Sequence, residues 1–546
     1  MLRLWSVMLT LAVALPAAAE NPTWTVQKRL RVRLPDGSFA VQVRPEVWQA
    51  RETALIVCDM WDSHHCLNAV RRCVEMAPRM NEVLARARLA GALIIHAPSG
   101  CMEAYRDHPG RQLAQQAPPA PDLPPDIGQW CSQIPSEEQA IYPLDQKEGG
   151  EDDDPADHQR WHAMLAALGR NPKAPWKAQT PLLTIAPGDA ISDSGVEIWN
   201  LLHARGIRHV VLLGVHTNMC VLGRPFGLRQ MARHGKDVVL LRDLTDTMYD
   251  PAKWPYVSHF AGTDLIIEHI EKYVCPTIAS PDLAGGMAFR FPRDKRRVLM
   301  LIGDDEYKTE WTLPDFAARD LAPLGFQVTI LHSDLGDKNL FPGMAEAIRQ
   351  ADVVLVSVRR RLPPKADLDA LRRHVLEGKP VVGIRTACHA WCLRDPKQNE
   401  AAAAAGRGVW PQFDAEVFGG NYTNHYGAEP RTEIALVPEA QGHPILRGVD
   451  VSQFVGFGSL YKVQPLAGTT TPLLLGAIPQ QPPEPVAWTN RAGPRQARVF
   501  NTTLGHPDDF AQPAFRKLLV NALFWALDDP YPTGQPLEAL LPAAQP

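Results

Sequence analysis

Two doubly wound α/β domains in tandem, each with a mostly parallel sheet, are what this sequence predicts, and three observations predict it. From about residue 53 apolar strand-like runs alternate with amphipathic helical stretches, the pattern of repeated β-α units. A second such series starts near residue 295. The 546 residues, with 45% hydrophobic content, are enough for more than one ordinary core.

The chain opens with MLRLWSVMLTLAVALPAAAE, in which Arg3 precedes an apolar run and Ala17-Ala18-Ala19 forms a small-residue cleavage site. Residues 1–19 are read as a secretory signal, which places the mature protein in the periplasm or outside the cell. No later stretch is apolar for long enough to span a bilayer. A formal charge of −4 without a basic block excludes nucleic acid as an expected partner. Nine cysteines leave at least one thiol unpaired within the chain, and some of the others could pair as disulfides.

Residues 20–50 read as a β-hairpin extension turning at PDG and lying on a sheet edge. The first domain, residues 51–280, then runs through TALIVCDMW, a helix, ALIIHAP, VEIWNLLHARGI, HVVLLGV and DVVLLRD. Residues 104–180, rich in proline, charge and tryptophan, read as an excursion over the active face, and the acidic run Glu151–Asp154 as a solvated loop. A linker is assigned to residues 281–294 and the second domain to 295–530, with strands RRVLMLIG, GFQVTILH, ADVVLVSV, KPVVGI and ARVFNTT. Residues 531–546 look like a tail.

The run RHVVLLGVHTNMCVLGR carries the first domain's chemistry. A strand empties into a short turn and delivers Cys220 to the start of a helix, where a helix N-terminus would lower its pKa toward the thiolate. Asp59 ends the strand ALIVCD, and in a parallel sheet both strand ends open into one crevice. The pair is expected to act as nucleophile and proton acceptor. His216 and Asn218 flank the thiol as candidates for orienting a substrate carbonyl or carboxylate, with Arg224, Asp62 and His64 as further substrate contacts. The cluster Asp62, His64, His65 and Cys66 reads as polar lining, because adjacent positions on one turn rarely point at a single ion. Neither a metal nor a cofactor is expected.

The ALIVCD strand, the helix into GALIIHAPS and the GVHTNMCV run resemble the isochorismatase-like cysteine hydrolases over roughly residues 50–280. That resemblance implies an aspartate, a lysine and a cysteine acting together on a C–N bond of a small amide or carbamoyl compound. Asp59 and Cys220 match. The lysine does not: PLLTIAPGDAISDSGVEIW, where the family carries it, holds Asp189 and Asp193 instead. Arg224, Arg242 and Lys177 are the candidate replacement cations, and the metal-binding Asp-x-His element of the family's nicotinamidases is missing. In the second domain VVGIRTACHAW, GGNYTNHYG and LGHPDDF resemble ThuA-like domains, relatives of class I glutamine amidotransferases. The resemblance places a nucleophile just after VVGI, where this chain has Arg385. Cys388 and Cys392 read as packing residues, and Arg385, His389, His425 and His506 as the lining of the second crevice.

The sequence therefore describes an exported cysteine hydrolase with a ThuA-like accessory domain, acting on a small molecule and compatible with an oligomer. The competing expectations are a non-catalytic binding protein built on two enzyme folds, and a carbohydrate-directed enzyme working through its second domain.

Overall fold

The computed structural model describes residues 22–427, 429–537 and 540, so the signal segment lies outside the described residues. In the first domain the strands are β1 (Thr23–Arg33), β2 (Phe39–Gln49), β3 (Thr53–Cys58), β4 (Leu93–Ala97), β5 (Ala190–Ile191), β6 (His209–Val215), β7 (Asp237–Asp246) and β8 (Thr277–Ile278). They form one sheet in the order β2-β1-β8-β7-β6-β3-β4-β5. Strands β3 to β8 pair in parallel, while the β1–β2 hairpin adds antiparallel at the edge through β8. Every residue of β3 and β4 is buried, as expected of parallel strands covered on both faces.

The chain winds from β3 to one side through β4 and to the other through β6, so the sheet has its switch point at β3. Ligand crevices of open α/β sheets form there, beyond the carboxyl ends of the strands. Gly214 draws β6 hard against β3: at φ +107° any Cβ would sit 2.1 Å from the Cys58 carbonyl oxygen. That close approach brings the turn after β6 alongside the residue that follows β3.

The second domain adds β9 (Arg297–Gly303), β10 (Gln327–His332), β11 (Val353–Val358), β12 (Val381–Ile384), β13 (Asn424–His425), β14 (Thr432–Leu436), β15 (Val455–Gly456), β16 (Tyr461–Lys462), β17 (Thr471–Ala477), β18 (Glu484–Ala492) and β19 (Ala497–Thr502). Its main sheet runs β10-β9-β11-β12-β19-β18-β17-β14-β15, with β13 and β16 as a separate pair. Only the β10-to-β19 half is parallel, and from β19 onward the sheet is antiparallel. The sheet is therefore parallel in one half and antiparallel in the other. The antiparallel half was illegible because its strands are not separated by the long amphipathic helices that mark β-α units.

Three expectations need correction. The acidic run is no solvated loop. Asp153 caps the long helix Leu67–Leu89 by accepting from the Leu67 and Asn68 N–H groups at 2.8 and 2.7 Å. Asp154 caps the helix Pro155–Ala167, and Asp152 holds the buried guanidinium of Arg72, which also binds Asp246 at 2.7 Å. The supposed tail instead straps the second domain onto the first. Tyr531 donates to Glu75 at 2.9 Å with its ring under the guanidiniums of Arg71 and Arg293, and Leu537 is buried beside Trp161. Finally, all nine cysteines are free thiols.

Candidate active site

Asp59 leaves β3 with a left-handed backbone, φ 46°, which turns its carboxylate into the crevice at the strand ends. Its Oδ1 accepts the Ser99 N–H at 2.7 Å, and its Oδ2 accepts Nε of Arg224 at 3.0 Å and lies 3.0 Å from Nη2. Cys220 occupies a π-helical turn, Thr217–Val221, entered across a cis Val215–His216 peptide bond. Its thiol sits close enough to the Asp59 carboxylate for each to shift the other's pKa. Arg224 follows one turn later, and its N–H bonds the Cys220 carbonyl at 3.0 Å. Acid, thiol and guanidinium thus converge on one point from two neighbouring strand ends.

The cation is Arg224. Arg242 faces Thr277 at 3.5 Å along β7, and Lys177 belongs to the loop whose N–H caps Asp62, so neither is the partner of Asp59. The excursion secures the arginine. Trp130 places its ring 5.7 Å from the guanidinium, and a Cβ at Gly223 would strike that indole at 2.5 Å.

Electrostatics overturn one expectation. The thiol of Cys220 is pushed up, not down: burial dominates, the Asp59 charge adds to it, and Arg224 offsets only part. A short π-helical turn does not outweigh those effects. Burial likewise raises the Asp59 carboxyl above its ordinary value, with Arg224 and the Ser99 N–H pulling it back.

Other predicted contacts divide sharply. Asp62 accepts Arg170 at 2.9 Å and the Lys177 N–H at 2.9 Å, so it shapes the loop that carries Trp176. His64 is buried, with its pKa driven well down by desolvation, and lies in a wall with Trp61 and Trp176, whose rings stack 4.5 Å apart. His216 touches His64 edge-on, and burial lowers its pKa to about 3. Asn218 bonds the Met248 backbone through both ends of its amide, at 2.9 and 3.0 Å, and so braces the turn.

Sequence reasoning missed Ser99, Gln179 and Trp176. Buried polar atoms without a partner gather on the loops at this end of the sheet: Ser63 Oγ, Ser99 Oγ, Gln179 Nε2 and His216 Nε2. Such atoms are costly unless something satisfies them. Ser99, two residues beyond β4, could have been found from its strand-end position. Gln179 could not.

In the second domain Arg385 follows β12 at φ 53° and is almost fully buried. Its guanidinium bonds the Thr503 carbonyl, Tyr307 Oη at 3.1 Å and Ser459 Oγ at 3.1 Å, between the rings of Tyr307 and Tyr461. His389 stacks on Tyr422 and faces Cys388 Sγ at 3.2 Å, in a cavity of about 490 Å³ that also takes in Arg360 and Asp414. Burial raises Asp414 to about 7. His425 is exposed on β13 and His506 caps a short helix, so neither joins His389 in that cavity.

Residues 323–526 match the family described as ThuA, trehalose utilisation. No curated protein matches the chain. Among solved structures it is similar to a ThuA-like protein from Bacteroides uniformis, at 18% identity over 44% of this chain and 94% of that one, TM-score 0.33. It is also similar to a cysteine hydrolase from Pseudomonas syringae pv. phaseolicola, at 14% identity over 43% and 92%, TM-score 0.26. An isochorismatase family protein from Burkholderia thailandensis shares 16% identity over 43% and 94%, TM-score 0.23. Solved structures of both kinds named by the sequence motifs are therefore among its neighbours, and the architecture is two tandem α/β domains.

Proposed function

We propose that the first domain is a cysteine hydrolase that cleaves a C–N bond of a small amide or carbamoyl compound, in an exported protein. The observation that carries this reading is the convergence of Cys220, Asp59 and Arg224 at the switch point of the sheet. Because the resting thiol is protonated, attack is coupled to proton transfer. Sγ bonds the carbonyl carbon as its proton passes to Asp59, whose raised pKa suits it to receive one. Arg224 offsets the charge on the sulfur and on the tetrahedral oxyanion, the role left open by the absent lysine. The C–N bond then breaks, Asp59 gives its proton to the leaving nitrogen, and an acyl-thioester remains. Water adds to it with Asp59 again taking a proton, which returns to the sulfur as the acid leaves. The unpartnered atoms of Ser99, Gln179 and His216 would hold the substrate's polar groups, with Trp61 and Trp176 as an apolar wall.

The second domain is proposed as a binding module for a small polar ligand. The left-handed elbow after β12 holds Arg385, whose guanidinium is tied into the fold, so that position carries no nucleophile.

The test is ammonia or amine release from a panel of amides and carbamoyl compounds, with intact-mass detection of a Cys220 adduct. Turnover that survives in Cys220→Ala would overturn the proposal. Alkylation of the free enzyme by iodoacetamide is a poor test, since a thiol with a raised pKa reacts slowly until substrate arrives.

A further inference from the structure

The excursion carries two histidines and a carboxylate that the hydrolase reading does not use. We propose that Glu151, His158 and His162 bind a divalent transition metal of the zinc class. His158 and His162 are four residues apart on the helix Pro155–Ala167, so they share one face, and their rings lie 3.9 Å apart. Glu151 reaches them from the loop before the helix, and the three donor atoms lie within 4.8 Å of one another. His158 Nε2 is 4.0 Å from Glu151 Oε2, where ligands on a tetrahedral zinc stand about 3.4 Å apart, so binding needs only a small contraction.

The surroundings are built for a ligand histidine. Asp153 Oδ2 accepts Nδ1 of His158 at 3.0 Å and is itself fixed by the Leu67 N–H at 2.8 Å. A carboxylate on one ring nitrogen sets the tautomer that leaves the other free for a metal. His65 closes a further side, its Nε2 3.2 Å from Glu151 Oε1. Glu151 is about one-third exposed and His158 about a quarter, leaving a path for an ion. Two imidazoles and a carboxylate suit zinc, cobalt or nickel better than calcium or magnesium, which prefer oxygen.

A neighbouring cluster, Cys66 with Asp152 and Asp153, is a weaker host. Asp152 is neutralised by the buried Arg72 cation, Asp153 is committed to the helix N–H groups, and the Cys66 thiol is fully buried. This metal site does not depend on the role of Cys220.

The full chain, stripped with a chelator and desalted, should retain about one equivalent of added zinc or cobalt, with the visible spectrum of tetrahedral or five-coordinate cobalt. His158→Ala and His162→Ala should abolish retention while keeping the wild-type circular dichroism, and Asp153→Asn should weaken it about 10–100-fold. Should an alanine variant fail to fold, Glu151→Gln supplies the same loss. Cys66→Ser should bind normally. Failure of the wild type to retain metal would overturn the proposal, as would unchanged retention in both histidine variants or loss confined to Cys66→Ser.

Discussion

The two crevices put the same backbone device to opposite uses. Asp59 after β3 and Arg385 after β12 both leave a buried parallel strand in a left-handed conformation, at φ 46° and 53°. In the first domain that turn presents a carboxylate shared between a thiol and a guanidinium, with unsatisfied polar atoms around it. In the second it presents a cation consumed by Tyr307, Ser459 and the Thr503 carbonyl. The place in the fold supplies a left-handed backbone at a buried strand end, and the side chain installed there decides whether it faces a thiol or is tied into the packing.

The comparison breaks most visibly at the proposed nucleophile. Cys220→Ala should lower kcat by about 10⁴-fold or more with an unchanged melting temperature, whereas Arg385→Met should leave kcat alone. Next comes the cation: Arg224→Met should cost about 10²–10³ in kcat, with part recovered in Arg224→Lys, read by steady-state kinetics. Arg385→Met should instead appear as lost stability, about 1–3 kcal/mol in urea melts, because it strands Tyr307, Ser459 and the Thr503 carbonyl.

Both domains hold a buried neutral histidine, His216 and His389, each lowered to about 3 by desolvation. The unfolded chain binds these protons near pH 6.5 and the folded chain does not, so stability is full above that pH and drains away as pH falls toward 3. Each contributes on the order of a few kcal/mol over that window. Urea melts between pH 7 and 4 should show a shallower slope in His216→Gln and His389→Gln, and equal slopes would refute the buried-neutral assignment. The smallest effect belongs to Trp130→Leu, which removes one ring from Arg224 and should change kcat by about 2–5-fold.

The parallel cores were legible because fully buried strands read as unbroken apolar runs, as in ALIVC and VVLVSV. The meeting of Cys220 and Asp59 was legible because strand ends in such sheets share a crevice. Arg224 was one of three candidate cations, and only the turn of backbone after Cys220 brings it to Asp59. The thiol's raised pKa was illegible, because burial depends on neighbours far away in sequence. The bracing role of Asn218 was hidden for the same reason: only the fold brings Met248 to its amide. The acidic run read as solvent-facing because its partners, Arg72 and the Leu67–Leu89 helix, lie some 80 residues upstream.

The strap from Tyr531 to Leu537 has a practical bearing on how this chain can be taken apart. It stitches the end of the second domain to Glu75, Asp157 and Arg160 of the first, across the seam where Arg296 meets Asp264 and Lys517 meets the Pro255 carbonyl. Cutting near residue 290 leaves the first domain missing a buried leucine and a tyrosine that two arginines clasp. Trimming after 530 does the same from the other end. The two halves are therefore expected to unfold as coupled partners in a urea melt, and either half alone would expose a surface that the intact chain keeps covered.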